Sequence, residues 1–424
     1  MITSTFGKIF LDAYNEKYGT QYDAKAFFVE KFFPLFFDHN KYMMWPQNSP
    51  FVQMSGKQKV WNLTNEERQE KLNTFIEKIE SGSIDASIAL GYAASEEKEF
   101  ATTSGQVTSL NIKNDISALY LSWIGAGLAI GVKGGLSILF NNKDILLGTY
   151  EGWQIYRSML NSNPSLGGNQ ISTWNGQWLS HIYDNNFDNN NPMDNFYPLD
   201  IKGDEMSIAL VSWTKILSVI AKRHSQTKML GYIFSFGQTN TTIGFIPFSL
   251  NPIRRTAQLY KQLFGDTEYT QAEELFGTAV GLKKSSQQGA IGIWALEPKG
   301  LKDYVTKGLI PKKKDVNDKI IFHTYITWIL TMLNNQELWE EAQTIASALK
   351  AFADGGGIST KNKNAVNSVL ESTNKRNFIE NLTEIVKSTD DTETLIKAAK
   401  LVNDMPTDNV AYFLTLIRFQ YATK

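Results

Sequence analysis

Apolar residues recur at helical spacing through most of the chain, and this pattern predicts a mainly helical protein. Near the start, six phenylalanines fall on one side of a predicted helix at three-to-four spacing, which is typical of a deeply packed helix. They are Phe27, Phe28, Phe32, Phe33, Phe36 and Phe37. Pro34 lies within this run and should kink or divide the helix, because proline has no backbone N–H. Thr64 and Glu67 then form a capping box that predicts a helix through Ile79.

The spacing of the hydrophobic residues changes in the middle of the chain. Helical periodicity at 207–222 gives way to strict alternation at 229–250, where turn-forming residues at 237–240 separate two alternating runs. This pattern predicts a β-hairpin. Residues 290–296 are predicted to form a third strand. Before this region, residues 184–195 are rich in Asn and Asp and predict an exposed polar loop.

The last part of the chain is predicted to be all helical. Six amphipathic segments follow residue 314, separated by a run of three glycines and by Pro406. They cover residues 320–333, 337–352, 363–370, 377–387, 392–403 and 411–421. The predicted fold class is therefore α+β and predominantly helical. It comprises a mixed N-terminal domain at 1–211, a basic segment with a small hairpin at 212–314 and a C-terminal helical bundle at 315–424.

The amino-acid composition limits the kinds of chemistry that the protein can carry out. A chain of 424 residues is long enough for two or three domains with large hydrophobic cores. It contains no cysteine, which excludes disulfides, cysteine-ligated zinc, iron–sulfur clusters and a thiol nucleophile. With 20% charged and 42% hydrophobic residues, the composition is that of a folded protein.

One uncharged stretch, at 116–132, could be taken for a membrane helix, since Gly127, Gly131 and Gly135 have the spacing that lets such helices pack closely. Polar residues within it favour a buried soluble helix that leads into a Gly-rich turn. The first 25 residues lack the pattern of a secretory signal. We therefore expect a cytoplasmic protein without a membrane partner.

The net charge of −1 conceals a separation of charge along the chain. Residues 1–211 carry −7, residues 212–314 carry +9 and residues 315–424 carry −3. A basic segment between acidic ones indicates a surface that meets a polyanion. The alternative is that these cations face water or pair with the acidic terminal segments.

The cations of the middle segment recur as pairs and triplets that can neutralise successive phosphates, while Gln and Asn side chains can address base edges. The candidate nucleic-acid-binding residues of this segment are Lys222, Arg223, Lys228, Gln238, Asn240, Arg254, Arg255, Lys283, Lys284, Lys312, Lys313 and Lys314. Tyr232, Phe234 and Phe236 lie between them and could stack on bases, although alternating aromatics in a strand usually form a core.

Other candidate sites match known patterns poorly. The glycines at 125–135 fit neither the dinucleotide fingerprint nor the P-loop, and close packing explains them better. Asp85, Glu96 and Lys98 have a spacing that a metal-dependent nuclease could use. The four histidines lie far apart, and the Asn-rich loop lacks the glycine and glutamate of a calcium loop. We expect no metal and no cofactor.

The order of a mixed N-terminal domain, a basic middle portion and a helical bundle ending in YFLTLIRFQY resembles the large subunit of type I CRISPR surveillance complexes, or Cascade. The resemblance implies guided binding of double-stranded DNA without catalysis by this chain. It also implies contacts with guide-RNA-bearing subunits and with a recruited helicase-nuclease. The candidate residues for reading the target-adjacent motif are then Asn48, Gln53, Gln106, Gln238 and Asn240.

Three hypotheses therefore stand. The first is a non-enzymatic nucleic-acid-binding subunit of a prokaryotic antiviral defence complex. The second is a restriction-type, metal-dependent endonuclease that uses Asp85, Glu96 and Lys98. The third is a protein–protein scaffold that does not bind nucleic acid.

Overall fold

The computed structural model describes residues 2–46, 49–81, 115–235, 241–287, 289–307, 317–355, 360–389 and 392–424. The fold is α+β and predominantly helical, as the sequence predicts. The chain forms two compact units. The first comprises Met1–Leu250 and Ser286–Ile291, and the second comprises Asn251–Ser285 and Gly292–Lys424. The division between the units falls within the basic segment 212–314.

The first unit combines helices with a four-stranded sheet and a separate two-stranded one. Its helices are α1 (Ile2–Tyr18), α2 (Ala24–Phe27), α3 (Phe33–Phe36), α4 (Asn65–Glu80), α5 (Ile116–Gly127), α6 (Lys143–Ser162), α7 (Ile171–Ile182) and α8 (Trp213–Arg223). Its strands are β1 (Ile130–Val132), β2 (Leu136–Phe140), β3 (Leu199–Lys202), β4 (Glu205–Ile208), β5 (Lys228–Ser235) and β6 (Thr241–Ser249).

The larger sheet has the order β1-β2-β5-β6, and all of its neighbouring strands are antiparallel. Strands β5 and β6 form the predicted hairpin, with Tyr232 opposite Phe245. The Gly-rich turn after α5 connects two short strands that the sequence analysis did not predict. Gly134 and Gly135 make this turn possible, because both have positive φ angles, 101° and 74°.

The helix predicted at 207–222 is confirmed as α8 except for its first six residues, and the predicted third strand is wrong. Residues 207 and 208 belong to strand β4, which pairs with β3 across the turn at Gly203, where φ is 61°. Helix α8 begins only after Ser212, whose side chain accepts from Lys215 N. Residues 293–296 form a 3₁₀ turn instead of a third strand, and Ile291 alone bridges to the sheet, through Phe248. The indole of Trp328 holds this turn by donating to Ile293 O at 2.9 Å.

The phenylalanine run forms the predicted buried helix, and Pro34 divides it. Residues Phe28–Phe32 form a π-helical turn between α2 and α3, in which Phe33 N donates to Phe28 O. The six phenylalanines are all at most 1% exposed. They pack with tryptophans of neighbouring helices; Phe32 stacks on Phe36 at 4.0 Å, and Trp153 meets Phe36 at 4.8 Å. The core of the first unit is therefore mainly aromatic.

Helices α1 and α5 cross with their backbones in contact. A Cβ atom on Gly125 would lie 1.9 Å from Thr3 O, and one on Gly7 would lie 2.0 Å from Leu121 O. Gly127 and Gly131 are packed less tightly, since a Cβ atom would lie 3.0 Å from the Phe32 ring at the first and 3.0 Å from the Ser172 hydroxyl of α7 at the second. The interpretation of the Gly-rich run as a close-packing device is confirmed. No helix in the described part of the chain is both long and apolar enough to span a membrane.

Two cations of the first unit bind backbone carbonyls instead of carboxylates. Lys41 Nζ donates to the carbonyls of Asn163, Pro164 and Leu166 at 2.8–2.9 Å. Arg157, which is 5% exposed, donates to Leu35 O from both Nε and Nη2. Burial lowers the pKa of Arg157 to about 10. Lys41 thus ties the loop after the phenylalanine run to the residues that follow α6, and Arg157 ties α6 to α3.

The second unit is helical among its described residues. Its helices are α9 (Leu250–Phe264), α10 (Tyr269–Glu273), α11 (Ala279–Gln287), α12 (Leu301–Lys307), α13 (Asp318–Leu333), α14 (Glu337–Asp354), α15 (Thr360–Leu370), α16 (Lys375–Val386), α17 (Glu393–Asp404) and α18 (Thr407–Ala422). The last six confirm the predicted bundle. Helix α18 packs against α12, α13, α14 and α15, and its residues Phe413, Leu416 and Ile417 are at most 1% exposed.

We expect Gly125→Ala to lower the free energy of unfolding by about 2 kcal/mol or more, because the added methyl group meets rigid backbone instead of a movable side chain. Urea unfolding followed by circular dichroism measures the change. Gly167→Ala is the matched control, since its Cβ would have only the end of the Gln170 side chain nearby, at 3.4 Å. Equal stability of the two variants would contradict the proposed backbone contact.

His39 should make the first unit sensitive to acid. Burial, assisted by the charge of Arg157, lowers the pKa of His39 to about 4, below its unfolded value of about 6.5. The folded state therefore binds fewer protons, and its stability falls as the pH drops from 6.5 towards 4. Between pH 7 and pH 5 the native protein should lose about 2 kcal/mol more than His39→Gln, in urea titrations at both pH values. Equal losses would show that His39 does not contribute.

Candidate nucleic-acid interface

A polar groove on the second unit brings together two of the predicted arginines. It has a volume of about 730 Å³ and lies where α9 and α14 begin. Its lining residues are Asn251, Arg254, Arg255, Gln258, Asn334, Asn335, Gln336 and Glu337. All eight side chains are polar, so the groove can hydrogen-bond a ligand but offers it little apolar surface. We call it the arginine groove.

Helix α9 directs its arginines to the groove because its other face is apolar. Ile253, Ala257 and Tyr260 are at most 4% exposed and follow helical spacing. Arg254 and Arg255 lie between these buried positions and are both half-buried. Hydrophobic burial thus fixes the rotation of the helix and, with it, the direction of the two guanidinium groups.

The turn between α13 and α14 forms the opposite side of the groove. Asn334 ends α13 in the left-handed conformation, with a φ of 55°, and its N–H donates to Thr331 O. Asn335 Oδ1 then accepts from Glu337 N at 3.0 Å, at the first residue of α14. Buried Thr331 and Leu338 hold the turn on both sides. Its three amide side chains are therefore presented on a fixed backbone.

The groove favours anions. Two guanidinium groups and the N-terminal ends of two helices contribute positive potential, against the single negative charge of Glu337. Arg254 Nη1 donates to Asn251 Oδ1 at 2.8 Å, which orients its guanidinium group. Arg255 forms no salt bridge with any residue that the structure describes.

The other predicted cations lie elsewhere. Lys222 and Arg223 are exposed in the last turn of α8, and exposed Lys228 begins β5. These three belong to the first unit. Cations at the end of a helix also stabilise the helix dipole, which is a structural explanation for the first two.

Lys283 and Lys284 are exposed on α11, in the second unit. Glu297 lies near Lys284. Burial raises the pKa of Glu297, and the charges of Lys302 and Lys284 oppose that rise. Lys284 therefore has a carboxylate in its surroundings.

Several candidates fall outside the described residues. They are Asn48, Gln106, Phe236, Gln238, Asn240, Lys312, Lys313 and Lys314, together with the nuclease candidates Asp85, Glu96 and Lys98. Gln53 is exposed on the loop before α4, where its backbone carbonyl accepts from Lys71 Nζ. The structure therefore describes only part of the predicted set. Arg254 and Arg255 are the predicted residues that the groove brings together.

The aromatic pair of strand β5 belongs to the core. Tyr232 is 7% exposed and Phe234 is 2% exposed, so neither ring can stack on a base. The alternation reflects a buried sheet face, which was one of the two interpretations of the sequence.

The histidines have structural contacts. His181 bonds Pro192 O at 2.9 Å and stacks on Phe196, while His224 contacts the hydroxyl of Tyr183 at 3.2 Å. His323 stacks on Phe264 at 3.8 Å, and burial lowers its pKa. Within the described ranges no three potential ligands among His, Asp and Glu come together as a metal site would require.

Sequence reasoning missed six of the eight residues that line the groove. Asn251, Gln258, the Asn-Asn-Gln run at 334–336 and Glu337 were not among the candidates. The sequence does show an amide-rich turn between two amphipathic helices. Nothing in the neighbouring residues, however, indicates that α9 lies opposite this turn. Compared with models of protein families, with curated proteins and with solved structures, the chain matches none.

The left-handed turn at Asn334 can be tested by substitution. We expect Asn334→Gly to be more stable than Asn334→Ala by about 1 kcal/mol, because alanine disfavours this conformation. The same pair of substitutions at Ser347, an exposed position within α14, should give the opposite order. Urea unfolding of the four variants decides the matter. An alanine variant as stable as the glycine variant at position 334 would contradict the described turn.

Proposed function

We propose that this chain is a non-catalytic nucleic-acid-binding protein and that the arginine groove contacts the nucleic acid. The observation that carries the proposal is the convergence of Arg254 and Arg255 with five amide side chains in one anion-favouring groove. Guanidinium forks bind phosphate oxygens in pairs, and Asn and Gln side chains offer a donor and an acceptor to base edges.

The charge distribution supports the same function. The segment 212–314 carries +9 between acidic neighbours, and it contributes half of the groove. A scaffold that binds protein alone would not need two arginines that converge beside a row of amides. A phosphate would supply the charge that complements the guanidinium groups.

We further propose that the protein acts as a subunit of a prokaryotic antiviral defence complex in the cytoplasm, in the manner of the CRISPR surveillance subunit that it resembles. Its partners would be DNA paired with a guide RNA and the other protein subunits. A net charge of −1 fits a subunit that shares its DNA contacts with more basic neighbours. This assignment rests on the order of the predicted segments.

The proposal predicts a defined change in salt dependence. Each phosphate contact contributes about −0.9 to the slope of log K against log salt concentration for duplex DNA. Replacing both arginines, Arg254→Gln and Arg255→Gln, should therefore reduce the slope by about 1.8 and weaken binding most at low salt. Fluorescence anisotropy with labelled duplex and single-stranded oligonucleotides measures both quantities.

Arg376→Gln is the matched control, because Arg376 is an exposed arginine on α16 that pairs with Glu380 at 2.7 Å. It should bind like the native protein. If the double variant binds with unchanged affinity and slope, the arginine groove is not the phosphate-contacting surface.

A further inference from the structure

Trp61 lies on a short turn of the first unit with its side chain 71% exposed. Single exposed aromatic residues are common in folded proteins, so exposure alone carries no functional meaning. Two further features distinguish Trp61, namely the rigidity of its turn and the charge around it. We call residues 55–63 the Trp61 turn.

Side-chain hydrogen bonds close the Trp61 turn on itself. Asn62 accepts from Lys59 N at 2.6 Å through Oδ1 and donates to Lys57 O at 3.2 Å through Nδ2. Gln58 accepts from both the N–H and the hydroxyl of Ser55, and its Nε2 donates to Glu67 at the start of α4. These bonds hold the backbone that carries Trp61, so little conformational entropy remains to be lost when a ligand binds.

Buried residues anchor the turn on either side of the tryptophan. Val60 is 8% exposed and Leu63 is 4% exposed, and both belong to the aromatic core of the first unit. Their burial turns Trp61, which lies between them, towards solvent. The exposure of the indole is therefore a consequence of how the chain folds locally.

The surroundings of Trp61 are cationic. Lys57 and Lys59 are exposed on the same closed turn, and neither forms a salt bridge with a described residue. The nearby carboxylate of Glu67 is already engaged by Thr64 N and by Gln58. A ligand at this turn thus meets an aromatic face beside two uncompensated positive charges.

We infer that the Trp61 turn is a second nucleic-acid contact, which stacks one unpaired base on Trp61 and places Lys57 and Lys59 near the flanking phosphates. This inference rests on the proposed function and adds a single-stranded site on the first unit. An aromatic platform flanked by cations suits an unpaired nucleotide, because every base has a stacking face and every linkage carries a negative charge. An apolar protein partner would gain nothing from the two lysines.

The test compares Trp61→Ala and Trp61→Phe in the full-length chain with single-stranded oligonucleotides over a salt series. Trp61→Ala should bind about tenfold more weakly at every salt concentration, with an unchanged slope, because stacking releases no counterions. Trp61→Phe should recover most of the affinity. The pair Lys57→Gln and Lys59→Gln should instead reduce the slope by about 1.4, since each single-strand contact contributes about −0.7.

Tyr197→Ala is the matched control. Tyr197 is 85% exposed, but it lies between Asp194 and Asp200, so it offers an aromatic ring in acidic surroundings. Its removal should leave binding unchanged. An oligonucleotide of abasic sites provides a second control, on which Trp61→Ala and the native protein should bind equally.

The outcomes separate this inference from the proposed function. If Arg254→Gln with Arg255→Gln weakens binding but Trp61→Ala does not, the groove stands and the stacking site is refuted. A native chain that binds no oligonucleotide at any salt concentration refutes both. Loss of affinity in Trp61→Ala that persists on the abasic oligonucleotide also overturns the stacking role, as does an effect confined to association with another protein.

Discussion

The first unit depends on the contact between the backbones of α1 and α5. Glycine at positions 7 and 125 lets the two helices approach until a side-chain carbon would overlap a carbonyl oxygen of the other helix. This close approach draws the phenylalanines of the π-helical region and the tryptophans of α5 and α6 into one cluster. Glycines at the contact between the two helices thus leave room for large aromatic side chains around it. The dense packing of the core follows from this combination.

The second unit is organised differently. Its helices follow one another along the chain and pack as a bundle, so the hydrophobic stripes of α9, α13 and α14 settle the positions of their polar residues as well. Arg254 and Arg255 are directed by the burial of Ile253 and Ala257, and the amides of the opposite turn by the left-handed Asn334. The groove forms without any additional helix, strand or insertion. It lies where two helices begin, and the first N–H groups of a helix have no partners within that helix.

Much of this fold could be predicted from the sequence, and the successes share a physical basis. The helices of the C-terminal bundle, the capping box at Thr64 and the β5–β6 hairpin all depend on patterns within a few residues. The sequence analysis missed the local β3–β4 hairpin, in which residues 207 and 208 pair with β3 instead of starting a helix. Residues 293–296 depend on a distant partner, the indole of Trp328.

The candidate site shows the same limit. Paired arginines on α9 stand out in a sequence, and their character as a cationic pair was predictable. The amides that face them lie more than seventy residues further along the chain, and only tertiary packing brings them near. Tyr232 is buried and Trp61 is exposed, although both are aromatic. The residue type alone therefore does not show whether an aromatic side chain faces the core or the solvent.

The contact between α1 and α5 also has a consequence for how the protein comes into being. The partner of Thr3 is Gly125, so the apolar face of α1 has no surface to cover it until that later helix has left the ribosome. Strand β2 likewise waits for β5, which follows it by about ninety residues along the chain. The bundle of the second unit also closes late, because α18 packs against α12 and α14, which begin about one hundred and about seventy residues before it. Each unit therefore keeps apolar helix faces uncovered during synthesis until a distant element has been made, and contacts of this kind slow folding and favour aggregation.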